Sequence, residues 1–228
     1  MTLLIGKPAP DFTTKAFYQE GFKDISLSDY KGKWVVLLFY PGDFTFVCAT
    51  EVAAAAEDGE AFESLGAQTI SISVDSPYVH KAWVEQELSK ITPKPVNFPM
   101  ASDGSGKIGT LYGVYDPEQE MEHRGCFIID PDGALQAVFI NSPMVGRSFE
   151  EVFRVLTGLI HVRKNKTDAL PCGWLPGDKV LAPTPDMVGK IHGVWTTAGM
   201  SIGKFKKEEG GSIWASDRMR IDTDADKK

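Results

Sequence analysis

Phe39 to Glu51 reads F-Y-P-G-D-F-T-F-V-C-A-T-E, and what this stretch joins decides the fold. Just upstream and running into it, Val35 to Tyr40 is an unbroken apolar run, β-branched at its start, as expected of a buried strand. Pro41 and Gly42 end that strand, because proline cannot donate to a central ladder and glycine permits a tight turn. Thr45 is placed to cap the next segment, and Val47, Cys48 and the run Val52 to Ala56 are compatible with a helix from about Thr45 to Leu65. Cys48 therefore falls in the first turn of a helix that follows directly on a core strand.

A thiol at that place meets the unpaired N–H groups and positive dipole end of the helix, which favour an anion. A free thiol near ~8.5 is only a few per cent thiolate at neutral pH, whereas one lowered to ~6 is roughly nine-tenths thiolate. Position alone serves a small buried hydrophobe as well as it serves a nucleophile.

Outward from this stretch, Thr69 to Val74 alternates and is β-branched, which predicts a second strand, parallel to the first through a helical crossover. Ser76 and Pro77 open a further helix with Trp83 as core filling. Residues 91 to 106 form a connection, and a short helix lies near Lys107 to Tyr112. Gly125 to Asp130 and Ala134 to Asn141 flank the turn Pro131-Asp132-Gly133 as an antiparallel hairpin. From Ser148, the spacing of Phe149, Val152, Phe153, Leu156, Leu159 and Ile160 gives an amphipathic helix. Residues 1 to 33 suggest loops and a short hairpin around the alternating segment Ile25 to Tyr30. The order β-α-β-α-β-β-α is that of an α/β, thioredoxin-like sheet covered on both faces.

Beyond Lys166 the composition shifts to Pro, Gly and isolated apolar residues, so the expected organisation is a domain over 1–166, an arm over 167–192 and a partly disordered or docked extension over 193–228.

Composition bounds the function. A chain of 228 residues with 43% hydrophobic content can bury one good-sized core. A net charge of -7 argues against a nucleic-acid backbone as partner. The start M-T-L-L-I-G-K-P has too short an apolar run for a signal peptide, and no run is long enough to span a bilayer, so the expectation is cytoplasmic with no membrane partner. Cys48, Cys126 and Cys172 are too few and too scattered for a disulfide framework, and no C-x-x-C is present. The four histidines show no ligand-like spacing, so no metal is expected.

Pro41, Thr45 and Cys48 form P-x-x-x-T-x-x-C, and in the context F-Y-P-x-D-F-T-F-V-C-x-T-E the chain resembles the peroxiredoxins, specifically the two-cysteine alkyl hydroperoxide reductase type. The resemblance covers residues 3 to 192. It implies a thiol peroxidase in which Cys48 attacks hydrogen peroxide or an organic hydroperoxide and becomes a sulfenic acid. Thr45 would hydrogen-bond peroxide and thiolate, and Pro41 would screen the sulfur from water. Arg124, in H-R-G-C-F-I-I-D, would hold thiolate and peroxide, and Arg147, in V-G-R-S-F-E-E, would support it, with Glu51 placing the guanidinium groups. On composition alone either arginine is more often a surface ion-pair member, and it is the motifs that point to the site.

The segment L-P-C-G-W-L-P-G-D-K-V-L-A-P-T-P resembles the family's C-terminal arm, which makes Cys172 the resolving thiol, acting on Cys48 of a partner subunit. The family arm reads V-C-P-x-x-W, with the cysteine four residues before the tryptophan; here Cys172 lies two before Trp174. Cys126 shares the face of Arg124 by strand alternation and reads as a small core residue, with a resolving role left open. The family further implies no bound cofactor, electrons from thioredoxin or a flavin disulfide reductase, and a homodimer able to form a decamer with Phe44 and Phe46 near subunit contacts. A one-cysteine peroxidase using an external thiol and a redox-switched holdase chaperone are the alternatives.

Overall fold

The computed structural model describes residues 5–196. They fall into two compact units: the first runs to Lys166 and takes in Leu175–Gly177, and the second begins at Thr167.

The first unit is built on a mixed sheet. Strands β1 (Thr13–Tyr18) and β2 (Gly21–Ser26) form a hairpin. Strand β3 (Trp34–Phe39) leads into α1 (Phe46–Glu57) and α2 (Gly59–Ser64), which return to β4 (Ala67–Ser73). Helix α3 (Pro77–Trp83), a π-helical turn (Val84–Leu88) and α4 (Ser89–Ile91) lead to β5 (Met100–Ser102) and α5 (Lys107–Tyr112). A small hairpin, β6 (Tyr115–Asp116) with β7 (Met121–Glu122), precedes β8 (Arg124–Ile129), β9 (Leu135–Asn141) and α6 (Phe149–Lys164). The sheet order is β2-β1-β5-β4-β3-β8-β9, with β3, β4 and β5 parallel and β8 antiparallel to β3. This is the thioredoxin-like arrangement.

Strand β3 explains why its sequence is apolar without alternation. Val36 and Leu38 pack with Val52, Ala55, Trp83 and Leu156 on one face, while Val35, Leu37 and Phe39 pack with Ile70, Ile72 and Tyr112 on the other. A strand covered on both sides has no polar face to show.

Several expectations need correction. The expected helix from Thr45 to Leu65 breaks at Asp58 into two. Ile25 to Tyr30 is the end of β2 followed by a 3-10 turn, Leu27–Tyr30, and the hairpin lies earlier, where Phe17 opposes Phe22. The connection over 91–106 contains β5, whose three residues are too few to show a period. Ser148 caps α6 as expected, its hydroxyl accepting from Glu151 N at 3.3 Å.

In the second unit, Ala169 and Leu181 exchange backbone hydrogen bonds of 2.8 Å. Trp174 Nε1 donates to Asp178 O at 3.2 Å. The extension expected over 193–228 lies outside the described residues beyond 196.

Candidate active site

The turn at Pro41-Gly42 carries the chain from the end of β3 to the start of α1, so Cys48 is set in the helix's first turn directly above the sheet. Its side chain is fully buried, in the same apolar cluster as Val36, Leu38 and Cys126. One turn further on, Glu51 projects from the same helix and is 4% exposed.

Arg124, the first residue of β8, reaches both. Its Nη1 lies 3.3 Å from Cys48 Sγ and 2.5 Å from Glu51 Oε2, and its Nε donates to Pro143 O at 2.7 Å. Arg147 closes the group from the loop after β9. Its backbone N and Nε donate to Glu51 Oε1 at 2.7 and 2.8 Å, and its Nη2 donates to Oε2 at 2.8 Å. Its Nη1 donates to Phe39 O and Gly125 O, both at 2.9 Å, which fastens the loop to the ends of β3 and β8. Gly146 lets that loop lie close to α1, since a Cβ there would come within 3.3 Å of Val47 Cγ1.

Electrostatics follows from this geometry. Burial pushes the Glu51 carboxyl up, but the charge and hydrogen bonds of Arg147, with the charge of Arg124, outweigh burial and hold it below the usual range. The side chains of Arg124, Arg147 and Glu51 are each only 3% exposed. Two guanidinium cations share one carboxylate, so one positive charge is left over beside the sulfur. A thiolate is the group that would balance it.

One expectation, at Thr45, changes, while Cys126 is the core residue expected. Thr45 occupies the cap position of α1, but its hydroxyl makes no capping bond and donates instead to Gly42 O at 2.8 Å. With its proton committed there, Thr45 Oγ1 presents lone pairs rather than a donor. Cys126 shares the cluster that holds Cys48, and burial pushes its thiol up to about 12, more than the nearby charge of Arg147 lowers it. Such a thiol is inert in the folded state. Cys172 is exposed and belongs to the second unit, between Pro171 and a left-handed Gly173. Pro41 is partly buried at the end of β3.

A second buried polar group escaped the sequence reading. Asp43, in the loop between Pro41 and Thr45, is hydrogen-bonded through its two carboxyl oxygens to Tyr40 and to His80. The available signal was Asp43 itself, an acid inside the motif with no assigned role. Among the described residues no cluster of three or more metal-ligating side chains is present, and no helix is long and apolar enough to cross a membrane.

Comparison with known proteins agrees with this chemistry. Residues 5–138 match the AhpC/TSA family, and residues 158–195 match the C-terminal domain of 1-Cys peroxiredoxin. The selenocysteine-containing peroxiredoxin PrxU of Peptoclostridium acidaminophilum is 51% identical over 84% of this chain and 95% of its own. Peroxiredoxin-2 of Rattus norvegicus is 41% identical over 80% of this chain and 91% of its own. Among solved structures, reduced Plasmodium vivax 2-Cys peroxiredoxin superposes with a TM-score of 0.75 at 32% identity, covering 80% of this chain and 94% of that one. Enterococcus faecalis AhpC superposes with a TM-score of 0.69 at 33% identity, covering 75% of this chain and 100% of that one. The chain belongs to the AhpC/TSA family of peroxiredoxins and is a thiol-dependent peroxidase.

Proposed function

We propose that Cys48 is the residue that peroxide oxidises, and that hydrogen peroxide and organic hydroperoxides are both substrates. The observation that carries this reading is the 3.3 Å approach of Arg124 Nη1 to Cys48 Sγ, made by a guanidinium that Glu51 and Pro143 O also hold. The thiolate sulfur attacks one peroxide oxygen, the O–O bond breaks, and the departing oxygen leaves as water or an alcohol after taking a proton. Cys48 is left as a sulfenic acid. Charge grows on the departing oxygen in that step, and the fixed Arg124 donor stabilises it without rearranging. Thr45 Oγ1 accepts from the peroxide hydroxyl, Pro41 limits water at the sulfur, and Arg147 with Glu51 keeps Arg124 in place.

Residues 1–166 form the peroxidase domain, 167–192 the arm and 193–228 an extension. The Cys172 thiolate of a partner subunit attacks the sulfenic sulfur, so an S–S bond forms and hydroxide leaves as water. A disulfide reductant, thioredoxin or a flavin disulfide reductase, then returns both thiols. The exposed Phe44 and Phe46, 48% and 95% accessible, are suited to subunit contacts in a homodimer and a decameric ring. The redox chemistry needs no bound cofactor, and the protein works in the cytoplasm.

One equivalent of peroxide followed by a non-reducing gel tests the sequence of thiols. A dimer-sized band that disappears in Cys172→Ser is expected. Its loss in Cys126→Ser instead would move the resolving role to Cys126, and an oxidised monomer in the wild type would leave resolution to an external thiol.

A further inference from the structure

The loop between β3 and α1 holds a residue in a conformation its side chain disfavours. Phe44 has φ of +55°, in the left-handed region where an L-residue with a Cβ is crowded. Its ring packs on Trp83 with centroids 6.2 Å apart, but it is 48% exposed in the single chain, so packing within one subunit is a weak restraint. A strained residue persists only where its neighbours are fixed. The neighbour before it is Asp43, which is bound from three sides. Its backbone N donates to Asp75 Oδ2 at 2.7 Å, and Asp75 Oδ2 also accepts from Ser73 Oγ at 3.0 Å. Its Oδ1 accepts from Tyr40 OH at 2.7 Å, and its Oδ2 lies 2.7 Å from His80 Nδ1. His80 Nε2 lies 3.3 Å from Ala101 O. Tyr40 and His80 are fully buried and Asp43 is 8% exposed.

The protonation of this group follows from who can donate. A carbonyl only accepts, so the contact with Ala101 places a proton on His80 Nε2. The contact between His80 Nδ1 and Asp43 Oδ2 then holds one further proton, shared between ring and carboxyl. Asn in place of Asp43 can make the same bonds, accepting from Tyr40 through its oxygen and donating to His80 through its amide. Ala cannot.

We infer that Asp43 is a positioning residue for peroxide reduction: by tying its side chain to Tyr40 and to His80 of α3 it keeps Phe44 left-handed, and so sets Thr45 and Pro41 around Cys48. This rests on the reading of Cys48 as the residue peroxide oxidises. The clamp acts on the part of the loop that receives peroxide, and Arg124 approaches the sulfur from the opposite strand, β8. Loss of the clamp therefore lowers reaction with peroxide without lowering reaction with an alkylating agent that uses no contact with the loop.

The test is the second-order rate constant of Cys48 with hydrogen peroxide and with iodoacetamide in the full-length protein and its variants, followed by peptide mass spectrometry. Asp43→Ala is expected to lose about 100-fold in peroxide rate, the scale of a displacement near 1 Å in a reacting geometry, with no loss in alkylation. Asp43→Asn is expected to recover most of the peroxide rate. An unchanged peroxide rate in Asp43→Ala, an equal fall in both reactions, or an Asn variant as impaired as the Ala variant overturns the inference. If Asp43→Ala does not fold, Tyr40→Phe decides, since it keeps the ring that packs on Trp83 and removes only the hydroxyl. A fall confined to peroxide supports the clamp, and an unchanged rate rejects it. A wild-type Cys48 that reacts with peroxide no faster than a free thiol would instead refute the proposed function itself.

Discussion

Glu51 and Glu122 are both buried carboxyl groups, 4% and 0% exposed, yet they are opposite in kind. Glu51 accepts four hydrogen bonds from Arg124 and Arg147 and is held below the usual carboxylate range. Neither oxygen of Glu122 meets a donor among the described residues, and burial, reinforced by the negative charges of Asp103 and Asp75 and by a hydrogen bond to Asp103 that only the protonated form can donate, pushes its carboxyl well above that range. Burial is therefore not what makes a charge in this protein. An ion persists where partners were brought in from other strands, and Glu51 is that case because β8 and the loop after β9 deliver two cations to α1. Glu122 sits on β7 with no cation delivered to it, so the neutral form is the one the fold favours.

Removing the partnered carboxylate has the largest expected effect. Glu51→Gln leaves two guanidinium groups buried against each other, and a loss of about 3–5 kcal/mol in folding free energy is expected from denaturant titration. Peroxide reduction should fall as well, since Arg124 loses one of its supports. Arg124→Met keeps volume and removes the charge next to Cys48. A fall of about 10²–10³ in the rate with peroxide is expected from stopped-flow measurement, the cost of losing one preorganised donor. A fall under tenfold would mean that Arg124 is a structural ion-pair member.

Glu122→Gln goes the other way. The amide mimics the neutral carboxyl, so stability at neutral pH is expected to rise and peroxide reduction to stay within twofold, because Glu122 touches none of the site residues. The pH dependence sharpens the contrast. A carboxyl raised in the folded state contributes stability that is fully present below its unfolded pKa near ~4.3 and is lost as pH rises toward its folded value, at about 1.4 kcal/mol per pH unit. Glu51, lowered in the folded state, contributes stability present above that unfolded pKa and lost as pH falls through its folded value. Subtracting the Glu122→Gln profile from that of the wild type should thus leave a stability difference that falls between pH 5 and neutrality. A flat difference would show that Glu122 has found a partner.

The segments with a clear apolar run or pattern were legible in sequence: β3, β4, β8 and β9 lie within one or two residues of expectation, and α6 starts at its expected cap. Strand β5 was hidden because three residues carry no period, and the β1–β2 hairpin because Ile25 to Tyr30 imitates alternation while actually leaving the strand. At the site, Arg124, Arg147 and Glu51 were legible as residue types within motifs, and the structure shows them in contact. The proton of Thr45 was not, since a hydroxyl in a tight loop can turn to its own backbone, here Gly42 O. Nor was the pairing of Asp43 with His80, which lie 37 positions apart and meet only because β4 returns the chain beside β3 and α3 follows it. Local patterns name the groups, and the crossovers decide which of them touch.

The most direct test of the account is where the first oxygen lands. Reduced protein given less than one equivalent of hydrogen peroxide in the presence of a sulfenic-acid trap, then digested and read by mass spectrometry, should carry the adduct on Cys48, with Cys126 and Cys172 unmodified. An adduct first on Cys172, or none on Cys48 while peroxide is consumed, would contradict it.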